Sequence, residues 1–483
     1  MIIWSGDTMN ATELCYTPAV EVAALIRDRA VSPVEVVEAV LARIEALEPR
    51  LNAIATLTPE RALDAARAAE AAVLRGDPLG PLHGVPVTIK DVIETAGIRT
   101  EMGSWTRQGH VPTFDAPLVT RLDHAGAIRL GKTTTSEFGW KGVSHSPLTG
   151  ITSNPWRDGY NAGASSCGAA AGAAAGYGPL HQGSDGAGSI RMPAHFCGVF
   201  GIKPTFGRVA NLPVRNSDQI SHQGPITRTV ADAALMLRVM AGPHPRDHYS
   251  LEAPPRDYPA LLGEGVRGLR IAFSADLGHA RVDPEVAGVV ADTARVFESM
   301  GARVETADTP FGSLGPDIVR FFWAAHFVEL EPYLERFESR MDPGLVACIR
   351  EGRGLSVADY LSWRARKLAY VEQIHAFFQE FDLLLTPSVS VAAFPADRLQ
   401  PQHWPQHPWD WLTWAEFSYP FNMSMNPAAS VPAGFTPDGL PVGLQIVGQR
   451  LDDHVVLRAA AALEQARPWA HQRPPLGDGA AAA

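Results

Sequence analysis

Two short runs hold residue types that can do covalent chemistry. The first is GSDGAGS, residues 183–189. Consecutive small residues ahead of a helix can aim several backbone N–H groups at one point, which suits an oxyanion. Ser189 closes the run at the expected start of a short helix, where the positive end of the dipole favours a developing alkoxide. A glycine-rich turn with a serine cap looks the same, so the reading needs a base to activate the hydroxyl. His181 and His195 show no pairing pattern, and neither G-x-S-x-G nor S-x-x-K occurs, which removes the α/β-hydrolase and β-lactamase readings. The second run is GVPVTIKD, residues 84–91, in which the alternation Val85, Val87, Ile89 ends on Lys90. A lysine serves as a base where burial holds its amine neutral; a strand-end lysine also commonly reaches solvent. Together the two runs allow nucleophilic acyl transfer through serine.

Residues 126–133, GAIRLGKT, match the phosphate-cradling pattern G-x-x-x-x-G-K-T. Such a loop follows a strand and precedes a helix. Here the preceding run, VTRLDHAG, reads as a helix that stops at Gly126, and Ile128 and Leu130 alternate with a polar residue. That order is wrong for nucleotide binding. It reads as a helix stop, a strand over 127–130 and a turn at Gly131.

The elements that must position these residues follow from capping and periodicity. Thr17-Pro18 opens a first helix. Ser32-Pro33-Val34-Glu35 is a capping box for a second, whose apolar face is Val36, Val37, Val40, Leu41, Ile44 and Leu47. Thr58-Pro59 caps a third that stops near Gly76, so residues 10–75 read as a helical wrap. Residues 168–177 form an Ala/Gly helix, and 267–308 read strand, helix, strand. Residues 315–380 are mostly helical and aromatic-rich, LLLTPSV and GLPVGLQIVG read as buried strands, and a last helix starts near Asp453. The alternation predicts an α/β sheet covered by helices on both faces.

The bulk numbers bound the rest. With 483 residues, 46% hydrophobic and 19% charged, the chain can bury a large core. A net charge of −11 discourages nucleic-acid and anionic-membrane binding. Cys15, Cys167, Cys197 and Cys348 are scattered, and neither C-x-x-C nor H-E-x-x-H occurs, so free thiols and no zinc site are expected. The start MIIWSGDTMN lacks a signal-peptide pattern, Met9 is an alternative start, and no apolar run reaches membrane-helix length. A cytoplasmic protein with a frayed GDGAAAA tail is the expectation.

GVPVTIKD, GASSCGAAAG and GSDGAGSIRMPAHFCGVFGIKPTFGRV together resemble the amidase signature family. SPVEVVEAVLARIEALEPRLNA resembles its N-terminal helices and NPAASVPAGFTPDGLPVGLQIVG its C-terminal strand region, so the likeness covers nearly the whole chain. The resemblance implies one domain over 1–483, with a large mixed β-sheet core flanked by helices. Its catalytic core spans about 80–215 and a substrate-side region about 315–415. It also implies a Ser–cis-Ser–Lys unit. Ser189 is then the nucleophile, Ser165 a relay serine in a non-proline cis peptide, and Lys90 the base. N–H groups of Gly186, Ala187, Gly188 and Ser189 form the oxyanion hole, and Ser166, Asp185 and Arg191 orient the serines. The chain departs from the family's usual glycine at Ala164, Cys167 and Ala187; none of these departures removes a proton-transfer group.

The implied function is a cofactor-free amidase that splits carbon–nitrogen bonds of small amides or carbamates (urethanes) through an acyl-enzyme, as a monomer or homodimer. The family also holds the glutamine-splitting component of a tRNA-dependent amidotransferase, which needs partner chains. That component has an Asp before its P-x-N motif, where WLTWAEFSYPFN has Ala415 and Glu416. A non-catalytic binding protein on the same scaffold is the alternative of another class. Trp404, Trp409, Trp411 and Trp414, with Trp105 and Trp140, read either as packing of a loop on the core or as an aromatic wall for an aryl substrate.

Turnover is expected to survive chelator and exhaustive dialysis. A rate that rises on adding ATP would return GAIRLGKT to the phosphate-loop reading.

Overall fold

In the computed structural model, the apolar run ending at Lys90 lies inside one mixed sheet of eleven strands. The structure describes residues 10–214 and 219–477; the expectations about the chain start and about residues 478–483 fall outside them. The strands are β1 (Ile54–Leu57), β2 (Pro86–Lys90), β3 (Ile128–Thr133), β4 (Leu180–Asp185), β5 (Phe200–Lys203), β6 (His222–Thr227), β7 (Arg270–Phe273), β8 (Arg303–Thr306), β9 (Leu383–Pro387), β10 (Ala428–Phe435) and β11 (Pro441–Gly448). Their spatial order is β1-β3-β2-β4-β6-β5-β10-β11-β9-β7-β8. β2 runs parallel to both β3 and β4, so Lys90 and the end of β4 emerge at the same edge of the sheet. β4 continues antiparallel onto β6.

The helices that matter for the site are α1 (Ala11–Tyr16), α2 (Ala19–Arg27), α3 (Pro33–Leu51), α4 (Pro59–Arg75), α5 (Cys167–Ala175), α6 (Arg191–Cys197), α7 (Pro284–Ala294), α8 (Gly315–Phe327), α9 (Pro343–Gly352), α10 (Val357–Phe377) and α11 (Asp453–Ala466). The capping box of α3 forms as read: Val34 N–H donates to Ser32 Oγ (3.0 Å) and Ser32 N–H to Glu35 Oε2 (2.8 Å). Its face of Val36, Val37, Val40, Ile44 and Leu47 is buried; all but Val36 pack with the alanines of α5 and with Ile128 and Leu130 of β3, and Leu41 is only half-buried. Val87 and Ile89 of β2 belong to a separate apolar cluster. β7, α7 and β8 form the expected strand–helix–strand unit with parallel strands. No helix of the described residues is long and apolar enough to cross a membrane.

Several local expectations need correction. Residues 10–75 are not wholly helical, because Ile54–Leu57 pairs with β3 as an edge strand. A helix already precedes Pro18: Asn10 caps α1 by accepting from Thr12 N–H (2.8 Å), and Pro18 is the residue before α2 rather than its first. Thr58 does not cap α4 with its side chain; its Oγ1 donates to Leu130 O (3.0 Å) and ties the helix to β3. Gly131 is no turn. It lies within β3 at φ 145, beside a register shift, and a Cβ there would stand 2.1 Å from Thr56 O. The close passage of β1 is what requires glycine.

Gly131→Ala is therefore expected to cost about 1–3 kcal/mol, whereas Gly288→Ala should stabilise by about 0.4–1 kcal/mol. Gly288 is exposed within α7, with nothing within 4 Å of an added Cβ. Urea unfolding of both variants checks this, and a neutral Gly131→Ala would contradict the close strand approach.

Candidate active site

Lys90 ends β2, and Ser165 precedes α5 after a cis peptide bond from Ala164. Lys90 is fully buried, and its Nζ donates to Ser165 Oγ (2.6 Å) and Ser184 Oγ (3.0 Å). Its backbone is held too: Lys90 N–H donates to Gln182 Oε1 (3.2 Å), whose Nε2 donates to Gln223 Oε1 (2.9 Å). Gly139 leaves room for the serine, since a Cβ there would stand 3.0 Å from Ser165 Oγ. Ser165 and Ser189 line one cavity with Ser184 and Gly186.

The turn that carries Ser189 is clamped at both ends. β4 runs on to Asp185, so Gly183 to Asp185 are strand rather than turn, paired across to His222–Gly224. α6 begins at Arg191, which leaves Ser189 in the turn itself, before the residue that precedes the helix. Asp185 and Arg191 are both fully buried. Arg191 Nη2 and Nε donate to the two Asp185 oxygens, each at 2.9 Å. The same carboxylate accepts from Gly188 N–H (2.7 Å), Ile190 N–H (3.2 Å) and Asn422 Nδ2 (2.8 Å). Burial alone would push the Asp185 carboxyl up, but the Arg191 guanidinium and these hydrogen bonds hold it well below the usual carboxylate range. Arg191 also reaches Ser418 O (2.8 Å) and Gln445 Oε1 (2.7 Å). Ser166 links the neighbouring segments: its Oγ donates to Ser184 O (3.1 Å) and its N–H to Ser189 O (3.2 Å).

One expected oxyanion donor is already committed. Gly188 N–H points to Asp185, and its φ of 110 sets the chain against Ser418, whose Oγ would stand 2.5 Å from an added Cβ. The N–H groups of Gly186, Ala187 and Ser189 have no acceptor among the described residues. Ala187 is not among the positive-φ residues, so its methyl is tolerated.

The cavity's aromatic wall comes from residues that the sequence did not single out: Phe138, Trp323 and Phe327, with Val92 and Ile220. Trp323 and Phe327 lie one turn apart on α8, the i, i+4 spacing that could have marked them. Trp404, Trp409, Trp411, Trp414 and Trp140 are buried packing instead. Trp411 and Trp140 back the wall: Trp323 Nε1 (2.9 Å) and Trp411 Nε1 (2.8 Å) both donate to Trp140 O. Trp105 is half-buried beneath the Arg340 guanidinium, 3.9 Å from its ring centre. Ala415 and Glu416 are not among the cavity-lining residues; burial raises the Glu416 carboxyl to about 7. His181 and His195 do not line it either, and burial lowers both to about 4. His181 Nδ1 pairs with Thr88 Oγ1 (2.8 Å), and His195 Nδ1 accepts from Gly443 N–H (2.8 Å). All four cysteines are free and buried.

The family model "Amidase" matches residues 35–457. An acylamidase from Rhodococcus erythropolis is 39% identical over 96% of this chain and 98% of its own length. A glutamyl-tRNA(Gln) amidotransferase component from Moorella thermoacetica is 35% identical over 96% of this chain and 99% of its own. The crystal structure of a bacterial aryl acylamidase of the amidase signature family superposes with a TM-score of 0.88 at 30% identity, covering 94% of this chain and 97% of that one. With a family match over most of its length and relatives of this identity aligned nearly end to end, the chain belongs to the amidase signature family, whose members hydrolyse carbon–nitrogen bonds of amides.

Proposed function

We propose that the protein is a stand-alone amidase for small amides with an apolar or aryl half, aryl carbamates included, working through Ser189, Ser165 and Lys90. The carrying observation is Lys90 Nζ at 2.6 Å from Ser165 Oγ, at the cavity that also holds Ser189. In this reading neutral Lys90 accepts the Ser165 proton while Ser165 accepts that of Ser189. Ser189 Oγ bonds to the carbonyl carbon, and the oxyanion takes hydrogen bonds from the N–H groups of Gly186, Ala187 and Ser189. Collapse breaks the C–N bond, and the proton held on Lys90 returns through Ser165 to the leaving amine. Water, deprotonated by the same relay, then attacks the acyl-enzyme, and Ser189 regains its proton as the acid leaves.

The aromatic wall of Phe138, Trp323 and Phe327 supports an apolar substrate. No carboxylate is found among the described residues that line the cavity, so nothing there would pair with the amine of free glutamine. The names of the acylamidase and aryl acylamidase relatives agree with this substrate class.

A panel of anilides, aryl carbamates, short aliphatic amides and glutamine should show kcat/KM at least about tenfold higher for an aryl substrate than for glutamine, roughly the worth of 1.4 kcal/mol; a preference for glutamine would reverse the assignment. A base accepts a proton only when unprotonated, so the rate should rise with pH in the wild type. Lys90→Met keeps the apolar stem and should lose about 10³-fold or more in kcat with the rise flattened, whereas general-base loss alone is typically 10²–10⁴-fold. Near-wild-type kcat with the same pH profile would make Lys90 a structural lysine.

A further inference from the structure

Four of the eleven large apolar side chains left exposed among the described residues lie on the single helix α10. Val357, Tyr360, Leu361 and Leu368 are 77%, 37%, 58% and 57% exposed. α10 packs on α8 through its other side: Trp363 stacks on Phe321 at 5.4 Å, Tyr360 meets Phe322 edge-on at 5.8 Å, and Lys367, Tyr370, Ile374 and Phe377 are buried. Leu361, Arg364, Leu368 and Glu372 follow one another at steps of three and four residues, which places them on one outward face. All four are exposed, as is Ala365 between them. Neither Arg364 nor Glu372 forms an ion pair within the chain among the described residues. Contiguous exposed apolar surface rimmed by polar residues is a mark of interaction sites.

We propose that this face is the contact of a two-fold homodimer in which α10 packs antiparallel against α10 of a second copy, with Leu368 at the centre. Around that centre Arg364 meets Glu372 of the second copy, and the symmetry makes the same pair twice. Leu361 and Ala365 extend the seam, and the alanine's small side chain admits the 8–10 Å approach of packed helices. Charge selects this occupant. A chain of net charge −11 repels its own copies in general, so self-association needs a face on which the charges cancel. The stripe carries one arginine and one glutamate, spaced to satisfy each other only between antiparallel copies. A lipid surface would leave both charges unpaired among acyl chains.

Sedimentation equilibrium across the micromolar range, on the full chain, tests this. The wild type should be a dimer. Leu361→Glu with Leu368→Glu should weaken association at least tenfold without changing amide turnover, and should remove the concentration dependence of the melting temperature that a dimer shows. Arg364→Glu and Glu372→Arg should each weaken it, and the two together should restore it. A wild-type monomer throughout, a dimer indifferent to the leucine changes, or no rescue by the double charge reversal would each overturn the proposal. So would a monomer that pellets with phosphatidylcholine vesicles through this face.

Discussion

The position of Ser189 depends on two charges that never meet water. Asp185 is the last residue of β4 and Arg191 the first of α6, so their pairing closes the turn from Gly186 to Ile190. Each would be costly to bury alone, and removing one partner of such a pair typically costs about 3–5 kcal/mol. The cost is offset because every side is used: Gly188 and Ile190 N–H groups and Asn422 on the aspartate, Ser418 O and Gln445 on the arginine. This also selects what the turn offers the cavity, since two of its N–H groups are spent on Asp185. Because the native carboxyl lies below its unfolded value of about 3.9, the pair's contribution is complete above that pH and fades as the pH falls through the native value.

Two lysines on neighbouring strands show how the same residue type is divided between framework and chemistry. Lys132 belongs to the run that imitates a phosphate loop. It is fully buried, and its Nζ donates to Ile93 O (2.5 Å), Thr95 Oγ1 (2.8 Å) and Thr100 Oγ1 (3.1 Å). Those partners pin the loop that follows Lys90. Lys90 Nζ also meets two hydroxyls, but both, Ser165 and Ser184, open onto the cavity shared with Ser189. The Thr95 and Thr100 hydroxyls donate on to Ile93 O (3.0 Å) and Ile98 O (3.2 Å), and a carbonyl cannot pass a proton further, whereas the Ser165 hydroxyl can accept and donate at once toward the cavity. That difference is what assigns the proposed relay to Lys90.

The parts written in local covalent pattern were readable in the sequence. Ser189 and Lys90 stand out as candidates by residue type and position, Ser165, Asp185 and Arg191 only through the family resemblance, and the structure brings all five to one region. The cavity wall was not readable. Counting aromatics picked out Trp404 to Trp414, but indole bulk says nothing about which side of a packed layer it ends on: Trp411 packs against Trp323, and none of the four lines the cavity with the serines. Strands β5 and β6 carry no local signal either, and β10 is reached only through the resemblance of NPAASVPAGFTPDGLPVGLQIVG to the family's strand region. FGIK, HQGPIT and much of AASVPAGF are buried from both faces, so the alternation that signals a half-exposed strand is absent. β1 was missed because an edge strand of four half-buried residues follows a long helix directly.

The proposed chemistry requires Ser189 Oγ to be the atom that bonds to the substrate carbon. Peptide mass spectrometry after treatment with an aryl fluorophosphonate reads this directly. One adduct per chain on the peptide carrying Ser189, formed in step with loss of amidase activity and absent in Ser189→Ala, is the predicted result. Inactivation with the adduct on Ser165 or another residue, or full turnover by Ser189→Ala, would contradict it.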